Sequence, residues 1–435
     1  MRGVKDFFNA EVFAVVGASR DEKKVGNAIF KNLLDSDKKV YGVNPKAQKI
    51  HGRKIYADLL EVPHEIDCVV IATPAKTIPL ILRQAAKRKA KSAIIISAGF
   101  SEIGNSSLEE RILSIAKENK IQLLGPNSYG MIITDQKLNT TYYDGIPPEG
   151  DIAFVSQSGA IGSVVLDKKQ PLSSFVSIGN SSQLDFSDFI EYFSTDKKTK
   201  AIAIYMESLK ENRGKKFIEA CKKCKKPIVV LKAGKSKEGQ RAAKSHTAAL
   251  ASDQKIYSGA FKQAGIYEVD TIEQLFIVSK ILIKYPKLGP KAAIITNAGG
   301  LGVLTTDACA KNKIKVGKLH EQTIAEMNKF LPENWSKNNP IDLIGDALAE
   351  DYGKTIKILE KKSADFIIVL LSPQRMTEAL ETARFLAATE KPVFACFMGG
   401  ESITEAKEFM DKHNIIYFNE IEEMCKCIGE SITQF

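Results

Sequence analysis

The stretch "IAFVSQSGAIGSVVLD", residues 152–167, decides how this chain is read. An apolar run stops at Ser156, a polar turn with Gly159 follows, and a helical segment begins. A strand, a glycine-bearing turn and a helix start make one unit of a parallel sheet. The pattern returns in "AAIITNAGGLGVLTTD", residues 292–307. Aligned without gaps, Ser156 matches Thr296, Gln157 matches Asn297, Gly159 matches Gly299, and Gly162 matches Gly302. Glycine in such a turn can simply relieve close packing of helix on strand. It can also mark a helix N-terminus whose free backbone N–H groups bind phosphate. The recurrence, in a chain that also holds an unusually placed histidine, favours the second reading. The candidate phosphate-binding residues are Ser156, Ser158, Gly159 and Ala160 in one turn, and Ala298, Gly299 and Gly300 in the other.

Outward from these turns the same alternation fills the chain. "VFAVVGAS", "VYGVNP", "DCVVIATP", "SAIIISAGF" and "IQLLGPNSYG" read as short buried strands ending in small or turn-forming residues. Helical stretches lie between most of them, with Val25, Ile29 and Leu33 at helical spacing. "YYDGIPPEGD" breaks the pattern near residues 141–151. Strands resume with "SFVSIGN", "AIAIYMES" and "PIVVLKAG", and "KYPKLGPK" separates these from "DFIIVLLSP", "PVFACFMGG" and "NIIYF". The expectation is three doubly wound α/β domains, at residues 1–143, 144–286 and 287–435.

Composition sets bounds on function. A chain of 435 residues with 44% hydrophobic residues exceeds one ordinary core. Its charge of +10 comes from 62 Lys+Arg against 52 Asp+Glu, a mild excess suited to small anionic substrates. No dense basic run with interleaved aromatics points to nucleic acid. No apolar run approaches membrane-spanning length, and "MRGVKDFFNAEVF" lacks a signal-like core, so a cytoplasmic protein is expected. The seven cysteines are odd in number, and the Cys221–Cys224 pair sits in a Lys-rich helical segment without a second pair at zinc spacing. Reduced thiols and no metal site are expected.

The first turn, "GASRDEKKVG", resembles a nucleotide-binding turn, but Gly17 and Gly26 are too far apart for the full dinucleotide fingerprint. The second strand ends in Asn44, Pro45 and Lys46 rather than in an acid that would hold a ribose. Ordinary NAD binding is disfavoured, while Lys46 and the basic "KIHGRK" suit a more heavily phosphorylated nucleotide. The loops carrying Thr73 and Pro74, Ser97 and Gly99, and Gly125, Pro126 and Asn127 should meet at the carboxyl ends of the first sheet, where open α/β sheets bind ligands.

His246, in "KSHTAALASD", lies among small and hydroxyl-bearing residues after the basic "KAGKSKEGQRAA". It reads as a loop histidine or as a nucleophile, since neutral imidazole attacks phosphorus without prior deprotonation. A carboxylate on its other ring nitrogen would fix the tautomer, and Glu207, at the end of "AIAIYME", is the best candidate.

With these residues in place, the chain resembles the alpha subunits of ADP-forming acetyl-CoA synthetases. These belong to the NDP-forming acyl-CoA synthetase superfamily, which also includes succinyl-CoA synthetase. The resemblance rests on "FAVVGASRDEKKVGNAIFKNL", "GVNPKAQKIHGRKIY", "LLGPNSYGMI", "FVSQSGAIG", "IAIYMES", "KAGKSKEGQRAAKSHTAALA", "IITNAGGLGVLTTDA" and "NPIDLIGDA", nearly the whole chain in order. It implies a Rossmann-like CoA-binding domain and two flavodoxin-like ligase domains. His246 is then the phosphorylated histidine, Glu207 its carboxylate, and the two helix starts hold the phosphate. Coenzyme A would contact Gly17, Ala18, Ser19, Gly26, Lys46, Thr73, Pro74 and Ser97, with Asn127 near the thioester. Two positions depart from the family pattern: Ala248 stands where glycine is usual, and Ser128 where cysteine is frequent. No region suits an ATP-grasp module, so the resemblance implies a separate beta subunit in an α2β2 assembly, carrying most of the ADP or ATP contacts and the Mg²⁺. The implied reaction interconverts acyl-CoA, ADP and phosphate with acid, CoA and ATP. A non-catalytic CoA-binding regulatory subunit is the alternative.

Overall fold

The structure is a computed structural model that describes residues 2–239 and 254–432. The chain falls into two compact units, Met1–Leu275 and Phe276–Phe435. Three sheets organise the described residues, two in the first unit and one in the second.

The first sheet contains β1 (Val12–Val16), β2 (Lys39–Val43), β3 (Lys49–Ile50), β4 (Arg53–Tyr56), β5 (Cys68–Ile71), β6 (Ser92–Ile95) and β7 (Gln122–Leu124), in the order β3-β4-β2-β1-β5-β6-β7. All pairings are parallel except β3 with β4. β5 and β6 are buried throughout, as strands covered by helices on both faces must be. In helix Val25–Leu34 the buried side includes Ile29, Phe30 and Leu33, whereas Val25 is exposed at its start.

The second sheet contains β8 (Gly130–Ile133), β9 (Leu138–Asn139), β10 (Glu149–Ser156), β11 (Leu172–Ser177), β12 (Ala201–Met206), β13 (Ile228–Lys232) and β14 (Tyr267–Val269), in the order β14-β13-β12-β10-β11-β8-β9. Five strands are parallel, and β8 runs antiparallel to β11. β8 and β9 precede the Pro-Pro segment, yet they belong to this sheet because the apolar "GMII" buries fully against β11. One apolar cluster runs through both sheets, from Phe7 and Phe13 to Met131, Val176, Phe189 and Phe193. Phe8 stacks on Tyr192 at 4.1 Å between centroids, fastening the N-terminal helix to helix Phe186–Thr195.

The second unit is built on β15 (Lys291–Thr296), β16 (Lys315–Val316), β17 (Ile341–Asp342), β18 (Phe366–Leu371), β19 (Val393–Phe397) and β20 (Ile416–Phe418), all in parallel pairs. Its core includes Trp335, Tyr352, Val369 and Phe397. Among the described residues no helix is long and apolar enough to cross a membrane. All seven cysteines are free; Cys221 is buried and Cys224 half-buried, and burial raises both thiols.

Candidate active site

The two aligned turns have the same wiring. The Ser156 hydroxyl donates to the Ser158 carbonyl at 2.8 Å and accepts from the Ser158 N–H at 3.1 Å. The Thr296 hydroxyl does the same with Ala298, at 3.1 and 3.0 Å. The next residue in each copy reaches across to the neighbouring strand end. Gln157 Oε1 accepts from the N–H groups of Glu207 and Ser208 at 2.6 and 3.0 Å. Asn297 exchanges two bonds of 2.8 Å with the Ser372 backbone. Each turn then opens a helix, Gly159–Asp167 in one copy and Gly299–Lys311 in the other.

The glycines of the two turns stand in different settings. A Cβ on Gly162 would overlap the Phe175 ring, so that glycine permits close helix–strand packing. Gly159 stands at the first helical position, against Tyr129, where a Cβ would come 3.1 Å from that residue's Cβ. In the second copy the Leu301 and Gly302 N–H groups bond the Ala298 carbonyl, leaving those of Gly299 and Gly300 directed beyond the helix end.

At the first sheet, Gly17 and Gly26 are nine positions apart but touch. A Cβ on Gly26 would overlap the Gly17 carbonyl oxygen and lie 2.9 Å from its carbon. Gly17 itself has φ +98°, a conformation that L side chains rarely adopt. Asn44 holds the turn by donating to the Ala18 carbonyl at 2.7 Å, and Asn27 donates to the Ser19 carbonyl at 2.8 Å. Lys46 is exposed beside it. The loops expected to meet do so: Ser97 Oγ donates to the Thr73 carbonyl at 2.5 Å, and the Asn127 N–H to the Ser97 carbonyl at 3.0 Å. Pro74 is exposed at the start of the turn that follows β5.

A cavity of about 1280 Å³ opens in the first unit. Asn127, the Ser158–Ala160 turn and Glu207 all line it, together with Tyr129, Tyr142, Tyr257 and Phe261. Gly17, Lys46 and Thr73 lie outside its wall.

His246 lies outside the described residues. The segments flanking 240–253, however, are both fastened at the strand end that carries Glu207. On the upstream side Lys232 Nζ donates to the Glu207 carbonyl at 2.7 Å and to the Ala233 carbonyl at 2.5 Å. Lys232 is buried under the Tyr257 ring, at 4.8 Å; burial lowers its pKa, and the Glu207 and Glu268 charges oppose that shift. Three residues on, Lys235 pairs with Glu268 and Asp270. On the downstream side Tyr257, in helix Gln254–Gln263, accepts from the Leu209 N–H at 3.1 Å.

The cavity also contains a polar group that sequence reasoning missed. Asn180 Nδ2 donates to Glu102 Oε2 at 2.6 Å and to Glu109 Oε2 at 3.2 Å. Ser182 and Lys210 donate to Glu109 Oε1 at 2.5 and 3.0 Å. Burial alone would raise the Glu109 carboxyl, but hydrogen bonds with Ser101 and Ser182 and the Lys210 ammonium outweigh it and hold the pKa at about 2. Asn180 ends "SFVSIGN" and Glu102 ends "SAGFSE"; their position at strand ends was the available signal. Among the described residues no group of three or more His, Cys, Asp or Glu is placed to hold a metal.

Comparison with known proteins adds the lineage. Three family models match in order: a CoA binding domain at residues 11–134, a succinyl-CoA ligase like flavodoxin domain at 149–282, and a ligase-CoA domain at 292–430. The chain is 38% identical over 436 residues to the alpha subunit of acetate–CoA ligase [ADP-forming] II of Pyrococcus furiosus, covering 96% of this chain and 95% of that one. It is 39% identical over 420 residues to acetate–CoA ligase [ADP-forming] I of Archaeoglobus fulgidus; that match takes in 94% of this chain but 61% of the longer relative. Among solved structures it superposes with a TM-score of 0.93 on the dinucleotide-forming acetyl-coenzyme A synthetase 1 of Candidatus Korarchaeum cryptofilum, in complex with phosphate and ADP. The two are 34% identical, and the match covers 99% of this chain and 96% of that one.

Proposed function

The chain belongs to the family of ADP-forming acetate–CoA ligases, and from that premise we propose that it is the alpha subunit of an acid–thiol ligase. It interconverts acyl-CoA, ADP and phosphate with free acid, CoA and ATP. The observation that carries this reading is the cavity wall shared by Asn127, the Ser158–Ala160 helix start and Glu207. Residues 1–143 bind CoA through Gly17, Ala18, Ser19, Gly26, Lys46, Thr73, Pro74 and Ser97, which places the thioester at Asn127. Residues 144–286 and 287–435 are the two ligase domains.

Phosphate held at the helix start attacks the thioester carbonyl carbon. The C–S bond breaks, the phosphate proton passes to the departing thiolate, and acyl phosphate and CoA result. Backbone N–H groups at Ser158–Ala160 oppose the charge that develops. A ring nitrogen of His246 then attacks phosphorus, the N–P bond forms as the P–O bond to the acyl group breaks, and the acid leaves as its carboxylate. The anchoring of both flanks of 240–253 beside Glu207 supports this pairing. The phosphohistidine next delivers its phosphoryl group to ADP on a separate ATP-grasp beta subunit, where Mg²⁺ accompanies the nucleotide. An α2β2 assembly in the cytoplasm completes the proposal.

The test uses the full chain with acetyl-CoA and labelled phosphate. It should acquire acid-labile, base-stable label, and His246→Ala should acquire none. Label surviving in that variant sinks the histidine assignment. Thermal protection by CoA but not by NAD should accompany the activity; protection by NAD would redirect the reading to a dehydrogenase.

A further inference from the structure

We propose that Asn180 is a positioning residue that aims the Asn127 amide at the thioester carbonyl oxygen, with Glu102 and Glu109 behind it as the anchor. This rests on the function proposed above and assigns a part of the site that the family resemblance did not.

The backbone comes first. Gly179, at φ +53°, packs so closely on the Pro126 and Asn127 carbonyls that no Cβ would fit, and the Asn180 N–H donates to the Pro126 carbonyl at 2.9 Å. Residues 179–180 are thereby clipped to residues 126–127. The side chain follows. Ionised carboxylates only accept hydrogen bonds, so the Asn180 amine must face Glu102 and Glu109. Ser101 Oγ lies 3.4 Å from the same nitrogen. With its amine committed, Asn180 presents Oδ1 to Asn127, whose Nδ2 donates to it at 3.4 Å. That is a long bond, of the kind that tightens when a ligand fills the site. The orientation of Asn127, an exposed residue at φ +57° on the cavity wall, is therefore fixed from behind. Its remaining N–H is left for a ligand.

The chemistry needs such a donor. When phosphate adds to the thioester, negative charge develops on the carbonyl oxygen, and a donor already aimed at that oxygen stabilises it without reorganisation. The charged groups facing Asn180 are Glu102 from the loop after β6, Glu109 from helix Ser106–Glu118, and through Glu109 the Lys210 ammonium from the segment after β12. Two carboxylates share one ammonium and the neutral amide NH2 of Asn180, so the cluster is already net negative and opposes a third anion.

The experiment measures CoA release from acetyl-CoA and inorganic phosphate by the full chain in single turnovers, with kcat and KM taken as the saturating rate and half-saturation of that turnover, alongside thermal unfolding. Asn180→Ala should lower kcat about 10- to 100-fold, with the KM values for acetyl-CoA and phosphate changed far less. Asn180→Asp keeps an oxygen toward Asn127 but sets a third carboxylate against Glu102 and Glu109. Its activity should be low at neutral pH and climb as pH falls and the introduced group protonates, a limb absent from the wild type. Wild-type kcat in both variants, or a pH-independent loss in Asn180→Asp, overturns the positioning role. Should Asn180→Ala not fold, Asn180→Asp alone decides by its pH profile. A wild-type chain that releases no CoA overturns the underlying function instead, which separates the two failures.

Discussion

Replacing Gln157 with methionine removes two hydrogen bonds and little else, because the side chains are of similar length. Gln157 Oε1 takes the N–H groups of Glu207 and Ser208 at 2.6 and 3.0 Å, so the change leaves two part-buried donors without an acceptor. An unsatisfied buried donor costs about 1–3 kcal/mol. Partial exposure places each at the low end, giving a total of about 2 kcal/mol. For a unit of this size, about 2–4 °C of melting temperature accompanies each kcal/mol, so a fall of about 4–8 °C is expected. The functional effect should be larger, because the freed strand end carries Glu207, and a displacement near 1 Å at a reacting centre can cost ~100-fold. Thermal unfolding and the rate of histidine labelling from acetyl-CoA and phosphate measure the two effects. Gln157→Glu is the control: a carboxylate accepts both N–H groups, so the melting temperature should be retained. A melting temperature within about 1 °C of wild type in Gln157→Met, together with a normal labelling rate, would refute the clamp and the catalytic placement of Glu207 together.

Two further outcomes test other parts of the site. Gly26→Ala places a Cβ against the Gly17 backbone, which cannot yield as a side chain would; the expected result is a loss of about 1–3 kcal/mol or more in stability and no CoA-induced thermal shift, and a variant that still binds CoA normally would contradict the close-approach reading. Lys210→Met removes a cation from Glu109, whose folded-state pKa is depressed to about 2. A depressed carboxylate contributes stability above its unfolded value near ~4.3 and loses it as pH falls through the folded value. The variant should therefore be less stable than wild type at neutral pH, with the gap closing on acidification below about pH 4; unfolding midpoints from pH 7 to pH 3 read this directly, and a gap that widens in acid contradicts it.

The sheets were legible because buried parallel strands are short apolar runs, and these runs stand out between glycine and proline punctuation. The edge pair β8 and β9 was not, since its assignment depends on which sheet the run pairs with. "GMII" follows the first sheet in sequence but bonds β11, some 40 residues later. The site divides along the same line. Asn127, Ser158 and Glu207 were legible as strand-end residues, and the structure brings all three to one cavity. The Gly17–Gly26 contact was not legible, because a spacing of nine does not fit the dinucleotide fingerprint that would have pointed to it. The turn between them loops out and returns, so the contact survives the insertion. Asn180, Glu102 and Glu109 were hidden because their meaning lies in mutual distances across about 70 to 80 residues of chain.

The repeat makes the limit sharper. An ungapped alignment found that Ser156 corresponds to Thr296 and Gln157 to Asn297, but gave no reason for the polar pair. The structure supplies one. The hydroxyl ties down its own turn, and the amide reaches the next strand end, so each helix start is fixed from two sides before any anion arrives. A helix N-terminus stabilises charge in a transition state only to the extent that it need not move to do so. On that argument the amide is as much a part of the turn as the glycine, and either amide side chain, Gln157 or Asn297, serves. The first copy clamps Glu207, the residue assigned to pair with the phosphoryl-carrying histidine in the proposed mechanism. The second clamps Ser372, at the end of β18, where no nucleophile is proposed. The clamp therefore belongs to holding the turn, and Glu207 is an addition made to the first copy alone.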